Sequence, residues 1–278
     1  MSDILARLLA QRLSERFNQT FVVENRPGAA SNVAASTVIH SAPDGYTLLL
    51  AGISNAINVS LYQKLDFDFV HDVTPISLIS RSPLVMVVNP GFPARTVPDF
   101  IAYAKTRPAK LNMGSPGTGG ASHVGGELFQ MLAGIKMVHV AYRGSPPALS
   151  DLMAGRIDVM FDNIASSISL IQSGKLRGLA VSSRASALPD TPLISRFLSG
   201  YEAYVWNGIV APKNCPPKIV AKLNAEIKGV VDDPVYKAQL TKLGNTPAFD
   251  TPDEFAKLIA ADSHKWAKVI DYAGIRPE

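Results

Sequence analysis

The residues best suited to chemistry lie in loops that follow predicted strands. The most distinctive loop is 113–123, with the sequence MGSPGTGGASH, between a predicted strand and a predicted helix. Its glycines let the backbone approach a ligand closely, and N–H groups at a helix N-terminus carry positive partial charge. The loop therefore predicts an anion site. It differs from the dinucleotide fingerprint, because Ser122 replaces the third glycine, and from the P-loop, because no Gly-Lys-Ser/Thr follows.

Further loops of the same kind occur along the chain. They are 28–32 (GAASN), 142–147 (YRGSPP), in which Ser145 is the predicted N-cap, and the pair Asp162-Asn163. Each follows the carboxyl end of a predicted parallel strand, where open α/β sheets bind ligands. Any one of these loops alone is typical of an ordinary helix cap. Together they predict a cleft lined by helix N-termini.

A catalytic alternative uses Ser115 and His123, with Asp162 as a third member, in a serine esterase or acyl-transferase. Ser115 is followed by Pro116, so it lacks both the nucleophile elbow and the backbone N–H that follows the nucleophile. Replacing Ser115 with Ala separates the alternatives, because an enzyme would lose turnover whereas a receptor would bind more weakly.

Metal and cofactor chemistry finds little support in the sequence. The other histidines, His40, His71, His139 and His264, are scattered without an H-x-x-x-H pair, so we expect no metal ion and no cofactor. The single cysteine, Cys215, lies in a predicted turn beside prolines and excludes an internal disulfide.

Continuous apolar strands alternate with helices, which is typical of an α/β fold with mostly parallel sheets covered on both faces. We predict strands at 20–24, 46–51, 75–80, 84–89, 111–114, 137–141, 157–161, 176–182 and 204–211. We predict helices from Ser2 or Asp3 to Phe17 and at 31–40, 97–106, 120–133, 146–154, 163–172, 216–230, 234–243 and 252–273.

The chain length and the placement of proline indicate two discontinuous domains. A chain of 278 residues with 47% hydrophobic residues suffices for one large domain or two modest ones. Prolines punctuate 83–98 and 189–192 and bracket a central block. We therefore predict lobe 1 as 1–86 plus 208–278 and lobe 2 as 87–207, joined by crossing segments near 84–90 and 203–211.

Composition excludes several classes of protein. The sequence has no apolar run of the length that a membrane-spanning helix needs, roughly 18 residues. Its net charge of +4 comes without a run of like charges, which disfavours nucleic acid as a partner.

Read in order, the loops resemble one family. The stretches that carry the resemblance are 3–7 (DILAR), 23–32 (VENRPGAASN), 43–48 (PDGYTL), 56–62 (AINVSLY), 114–123, 140–144 (VAYRG), 155–158 (GRID) and 206–212 (WNGIVAP). The sequence is similar to the Bug-type, or tricarboxylate-receptor, substrate-binding proteins of bacterial tripartite tricarboxylate transporters. The similarity covers essentially the whole chain.

The resemblance implies a periplasmic, non-enzymatic receptor with a two-lobed, type II periplasmic-binding-protein fold. Such a receptor closes on a small carboxylate in the interlobe cleft and presents it to membrane transporter subunits, and we expect a monomer. Carried over by position, the ligand-binding residues are Ala29, Ala30, Ser31, Asn32, Ser54 and Asn55 in lobe 1, and Ser115, Thr118, Gly119, Ser122, His123, Tyr142 and Asp162 in lobe 2. A ligand sensor for a signalling partner would use the same pocket and remains an alternative.

Asp162 is the most informative of these residues. In a carboxylate pocket it repels a plain diacid unless it contacts an ammonium group, a hydroxyl or a bridging water, or is protonated. The alternative is that Asp162 only caps the following helix.

The departure from the family lies at the front of the sequence. Family members begin with a signal peptide, an apolar strand and a Pro/Gly-Gly loop before the helix that contains Asp3 and Arg7. This sequence begins with that helix. We therefore expect that the first strand of lobe 1 and the export signal are missing or lie upstream.

Overall fold

The computed structural model describes residues 2–62 and 64–277. In chain order its helices and strands are α1 (Ser2–Phe17), α2 (Asn32–Ile39), β1 (Leu49–Gly52), α3 (Ile53–Leu61), β2 (Val73–Val88), α4 (Val97–Lys105), β3 (Asn112–Ser115), α5 (Ala121–Ala133), β4 (Val138–Ala141), α6 (Ser145–Met153), β5 (Val159–Asn163), α7 (Ile164–Gln172), β6 (Arg177–Val181), β7 (Tyr204–Pro212), α8 (Pro217–Asp232), α9 (Pro234–Lys242), β8 (Thr246–Pro247) and α10 (Pro252–Ala273). Short 3-10 turns cover Ala29–Ser31 and Ile194–Arg196.

The chain divides into two compact units. Unit 1 comprises Met1–Arg81 and Trp206–Ala267, and unit 2 comprises Ser82–Val205 and Lys268–Glu278. The final segment, Lys268–Glu278, groups with unit 2, in contrast to the predicted lobe 1, which includes all of 208–278.

Unit 1 packs helices on short antiparallel strand pairs. β1 pairs with β7, with Leu49 opposite Val210, and β2 pairs with β8. On α1, Leu5, Leu9 and Leu13 are buried because their spacing puts them on one face of the helix. They join residues of β2, β7, α8 and α9 in one hydrophobic core. Burying each such leucine contributes about 1.5–3 kcal/mol.

Unit 2 contains the parallel strands. β3 pairs in parallel with β4 and with β5, whereas the second part of β2 pairs antiparallel with β5 and β6. The core beneath this sheet joins Val85 and Val87 of β2 to Leu149 and Leu152 of α6 and to Met160 of β5. Helices α5, α6 and α7 each follow a strand of this sheet. Their N-termini therefore lie near the carboxyl ends of β3, β4 and β5.

Some elements differ from the prediction. The strand predicted at 20–24 is wrong: these residues form no strand, and Val22 is 84% exposed. The strands predicted at 75–80 and 84–89 are one strand, β2, which continues through Pro83. Helix α3 was not predicted, although Ile53, Ala56, Ile57 and Leu61 are buried at helical spacing. The hydroxyl of Ser145 is not an N-cap, because α6 begins at Ser145 and its N-cap is Gly144.

Gly208 of β7 lies where no side chain fits. A Cβ there would overlap the ring of Phe255 and lie 2.8 Å from the carbonyl oxygen of Ser77. Because a backbone carbonyl cannot move aside cheaply, we expect Gly208→Ala to lower the free energy of unfolding by about 1–3 kcal/mol. Urea unfolding measures this. Gly178→Ala in β6 is the control, because a Cβ there meets its nearest neighbour, Val85, at an ordinary 3.5 Å; equal losses in both variants would contradict the assignment.

No helix in the described part of the chain is long and apolar enough to cross a membrane.

Candidate functional site

Unit 2 gathers polar side chains at one edge of its sheet. Because β3, β4 and β5 are parallel, their carboxyl ends meet at the same edge. We call the polar group at this edge the carboxyl-edge cluster; its members are Ser115, Ser122, His123, His139, Tyr142, Ser145 and Asp162. The structure thus brings together most of the residues predicted for lobe 2.

The loop from β3 to α5 has the geometry of an anion site. Gly117 and Gly119 have positive φ, 155° and 73°, conformations that favour glycine. The Gly119 N–H donates to Nδ1 of His123 at 3.0 Å. The N-cap of α5, Gly120, offers no side-chain cap, and the first N–H groups of a helix have no intrahelical acceptor. Thr118 lies in this loop, half-buried.

Ser115 is held by its neighbours. Its hydroxyl donates to the carbonyl oxygen of Gly117 at 2.9 Å and lies 2.7 Å from Nε2 of His139. Which of these two groups donates in the second contact depends on the tautomer of His139. The ring of His139 stacks on that of His123 at 3.4 Å. Burial, with a smaller contribution from His123, lowers the pKa of His139 to about 4, which keeps its ring neutral near pH 7.

These contacts do not form a catalytic triad. Nδ1 of His123 already accepts the Gly119 N–H, and Asp162 accepts a hydrogen bond from Ser145. The described residues show no hydrogen bond between Ser115 and His123, and none between Asp162 and either His123 or His139. The arrangement gives no support to the esterase alternative.

Tyr142 contributes its backbone to the cluster. Its N–H donates to the carbonyl oxygen of Ser115 at 2.9 Å, and the Gly144 N–H donates to Pro116 at 3.1 Å. These bonds hold the start of α6 beside the end of β3. The Tyr142 hydroxyl donates to Asp151 at 2.8 Å, and burial, followed by the contacts with Asp151, raises the pKa of Tyr142.

Asp162 is fully buried, with 0% exposure. Its Oδ1 accepts the Ser145 hydroxyl at 2.8 Å, and its Oδ2 has no hydrogen-bond partner among the described residues. The N-cap of α7 is Asn163, whose side chain accepts the Ala165 N–H. Helix capping is therefore the role of Asn163 and leaves Asp162 unexplained.

Burial raises the pKa of Asp162 to about 6, against smaller lowering contributions from Ser145, Asn163 and Ser167. A raised folded-state pKa means that the unfolded chain loses this proton first, so stability falls as pH rises through about 6. Relative to Asp162→Asn, the ligand-free wild type should lose about 2 kcal/mol of unfolding free energy between pH 4.5 and 7.5. Urea unfolding of both proteins at the two pH values measures this loss. Parallel pH dependences would contradict it.

The residues predicted for lobe 1 lie in unit 1, on the turn 29–31, at the start of α2 and on helix α3. Ala29, Ala30 and Ser31 all have positive φ, at 43°, 50° and 77°, which is rare for residues other than glycine. Nδ2 of Asn58 donates to the Ala30 carbonyl oxygen and to Oδ1 of Asn32, both at 2.8 Å. These bonds fix the turn.

Two amide groups in unit 1 are left with unused donors. Asn32 and Asn55 are buried, and Nδ2 of each has no hydrogen-bond partner among the described residues. Oδ1 of Asn55 accepts the Gly52 N–H at 2.9 Å, which orients the amide. Ser54, the preceding residue, is half-buried. Buried N–H donors without acceptors fit an anionic ligand.

Sequence reasoning missed supporting residues of both units. Asn58 lies on the unpredicted helix α3, and its spacing of three residues from Asn55 is the signal that a helical reading of 53–61 would have used. His139 stands alone in the sequence, without a partner at a spacing that would mark it, and only the fold brings it to Ser115. The described residues place no group of three or more His, Cys, Asp or Glu side chains where they could hold a metal ion.

Comparisons with known proteins identify the family. The model of the tripartite tricarboxylate transporter family receptor, TctC, matches residues 5–275. The chain therefore belongs to this family. Among curated relatives, it is 33% identical to the protein BugT of Bordetella pertussis over 282 residues, which cover 99% of this chain and 86% of BugT.

Solved structures agree with this assignment. The chain is similar to R. palustris Rpa4515 with adipate (35% identity, 99% of this chain and 94% of that chain, TM-score 0.83). It is also similar to MatC from Rhodopseudomonas palustris with bound malate (29%, 97% and 94%, TM-score 0.78) and to the periplasmic binding protein BugD (28%, 100% and 94%, TM-score 0.79). The Bug-type resemblance and the α/β class of periplasmic binding proteins are confirmed. The family includes periplasmic solute-binding proteins.

Proposed function

We propose that this chain is an extracytoplasmic solute receptor that binds a small organic carboxylate and delivers it to membrane transporter subunits. The observation that carries the proposal is the carboxyl-edge cluster, in a chain that belongs to the tricarboxylate-receptor family from residue 5 to residue 275. Two similar structures contain dicarboxylates, adipate and malate.

The cluster suits a carboxylate that is bound without a cation. Helices α5 and α6 begin beside the carboxyl ends of β3 and β5. The hydrogen bonds of Ser122 to Phe161, of Ser145 to Asp162 and of the Tyr142 N–H to Ser115 show this. Backbone N–H groups and the helix dipole stabilise negative charge at such ends. Thr118 and Gly119 in the loop from β3 to α5, and Ser122 in the first turn of α5, are the proposed contacts.

The remaining predicted residues belong to the same proposal. In unit 2 these are Ser115, His123, Tyr142 and Asp162. In unit 1 we propose Ala29, Ala30, Ser31, Asn32, Ser54 and Asn55 as ligand-binding residues, supported by the unused amide donors of Asn32 and Asn55.

The proposed receptor is not an enzyme. The hydroxyl of Ser115 donates to a carbonyl oxygen, which supports a positioning role for this residue. We further propose that the protein acts in the periplasm as a monomer, as expected from the family to which it belongs.

Isothermal titration calorimetry tests the proposal. The purified chain is titrated with adipate and malate and, as matched controls, with the corresponding neutral diamides. We expect saturable binding of at least one diacid and none of its diamide, since an uncharged amide offers no anion to the helix N-termini. If neither these diacids nor a wider panel of mono-, di- and tricarboxylates binds, the proposal is wrong.

A further inference from the structure

We infer that Asp162 selects, among the carboxylates, ligands that also carry a hydrogen-bond donor, a hydroxyl or an ammonium group, near the carboxylate. This inference rests on the proposed function and names the ligand class of the same site. Ordinary diacids without such a donor are the ligands that Asp162 disfavours.

Asp162 lies at the carboxyl end of β5, one residue before the strand ends. The first residue of α6, Ser145, donates to its Oδ1. From the other neighbouring helix, the hydroxyl of Ser122 in α5 donates to the carbonyl oxygen of Phe161. Asp162 therefore lies between the helix N-termini that we propose as the anion site.

Oδ2 of Asp162 is buried and accepts no hydrogen bond from the described residues. An oxygen in this state is costly unless a donor reaches it. A ligand hydroxyl or ammonium group is such a donor. A second carboxylate is another acceptor and leaves the oxygen unsatisfied.

No cation of the described residues acts on Asp162. The groups that act on Asp162 are Ser145 of α6, Ser167 of α7 and the N–H of Asn163, and its neighbour across the antiparallel pair is Val85 of β2. None of these groups is charged or titrates. The two histidines of the same cluster, His123 and His139, stack on each other, and among the described residues neither makes a hydrogen bond to Asp162. Repulsion between an ionised Asp162 and a ligand carboxylate is therefore not offset by a protein cation.

Protonation of Asp162 gives the selectivity a pH signature. Above its pKa of about 6 the side chain is an acceptor and favours ligands with a donor. Below that pKa the neutral carboxyl donates a hydrogen bond from Oδ2 and no longer repels an anion. Plain diacids should then bind more tightly, and the advantage of the donor-bearing ligands should shrink.

Calorimetry with ligands that differ in one group tests the inference. Succinate, malate and aspartate share one carbon chain: succinate has no donor beside its carboxylates, malate has a hydroxyl, and aspartate has an ammonium group. Adipate, 2-hydroxyadipate and 2-aminoadipate form a longer series with the same three groups. Each ligand is titrated at pH 8 and pH 5 into wild type, Asp162→Asn and Asp158→Asn. The last variant is the matched control, because Asp158 precedes β5 at its far end and accepts the Asn112 N–H.

For wild type at pH 8 we expect a donor-bearing ligand to bind about tenfold to a hundredfold more tightly than the plain diacid of its series. The preference should fall at pH 5. In Asp162→Asn it should be small and independent of pH, whereas Asp158→Asn should behave like wild type. Preference for malate identifies the donor as a hydroxyl, and preference for aspartate identifies an ammonium group.

Two results have different meanings. If carboxylates bind but wild type and Asp162→Asn show the same preference at both pH values, the inference is wrong and the receptor function stands. If no carboxylate of either series or of the wider panel binds wild type, the receptor function itself fails, and the inference falls with it.

Discussion

Replacing Asn55 with Asp is expected to lower carboxylate affinity by about a hundredfold or more, since placing like charges together costs several kcal/mol. The substitution keeps the side-chain shape and keeps the oxygen that accepts the Gly52 N–H. It converts the unused Nδ2 donor into an anionic oxygen. Calorimetric titration with the diacid that binds wild type most tightly measures the loss.

Asn18→Asp is the matched control for this experiment. Asn18 is exposed, lies in unit 1 and has a left-handed backbone that aspartate tolerates. It adds the same charge at an exposed residue that is not among the predicted ligand-binding residues, and we expect wild-type affinity within about twofold because surface charges are screened. If Asn55→Asp binds as well as this control, Asn55 does not contact the ligand.

Replacing Asp262 with Ala is expected to lower the free energy of unfolding by about 3–5 kcal/mol, the usual cost of breaking a buried charged pair. Asp262 is 3% exposed. It accepts the Trp206 indole N–H at 2.7 Å and pairs with Lys265 at 2.6 Å. Without the carboxylate, the fully buried indole N–H loses its acceptor.

Urea unfolding followed by tryptophan fluorescence measures this change. Asp253→Ala is the control on the same helix, because Asp253 is exposed in the first turn of α10 and should cost less than about 1 kcal/mol. Equal losses in the two variants would contradict the role assigned to Asp262.

The alternation of strands and helices in unit 2 could be predicted because each element has its own local signal. Apolar runs end at glycine-rich loops, and α5 and α7 begin within a residue or two of the predicted positions. The segment 20–24 has the same β-branched composition as a strand, yet it pairs with no strand of the described chain. Pairing depends on a partner, which local composition does not encode.

At Pro83 and at helix α3 the local sequence signal is misleading or missing. Proline ordinarily ends a strand prediction, but β2 continues through Pro83, and Leu84 on its far side is held by Ser182. Helix α3 begins directly after β1 without a loop, so no turn signal separates the two elements in the sequence.

Some features of the candidate site could be predicted from local sequence, and others depend on packing. The loop 113–123 was visible because glycine spacing and a helix start are local features. The contact between Ser115 and His139 joins residues on neighbouring strands, and the free oxygen of Asp162 is a property of packing. Neither can be read from spacing alone. The bond from Asn58 to Asn32 likewise joins residues far apart in the sequence.

Hydrogen exchange tests the central claim, that a carboxylate binds at the N-termini of α5 and α6, most directly. The chain is exchanged with and without a saturating concentration of malate or adipate, whichever binds more tightly. We predict slower exchange of backbone amides in a peptide that covers 116–124 and, in a peptide that covers 142–147, of Arg143 and Ser145, because ligand oxygens accept their hydrogen bonds. Tyr142 and Gly144 already donate to Ser115 and Pro116, and Pro146 and Pro147 have no N–H. We expect no such change in 217–232 of α8. Saturable binding of the diacid with unchanged exchange in both of the first two peptides would contradict the account.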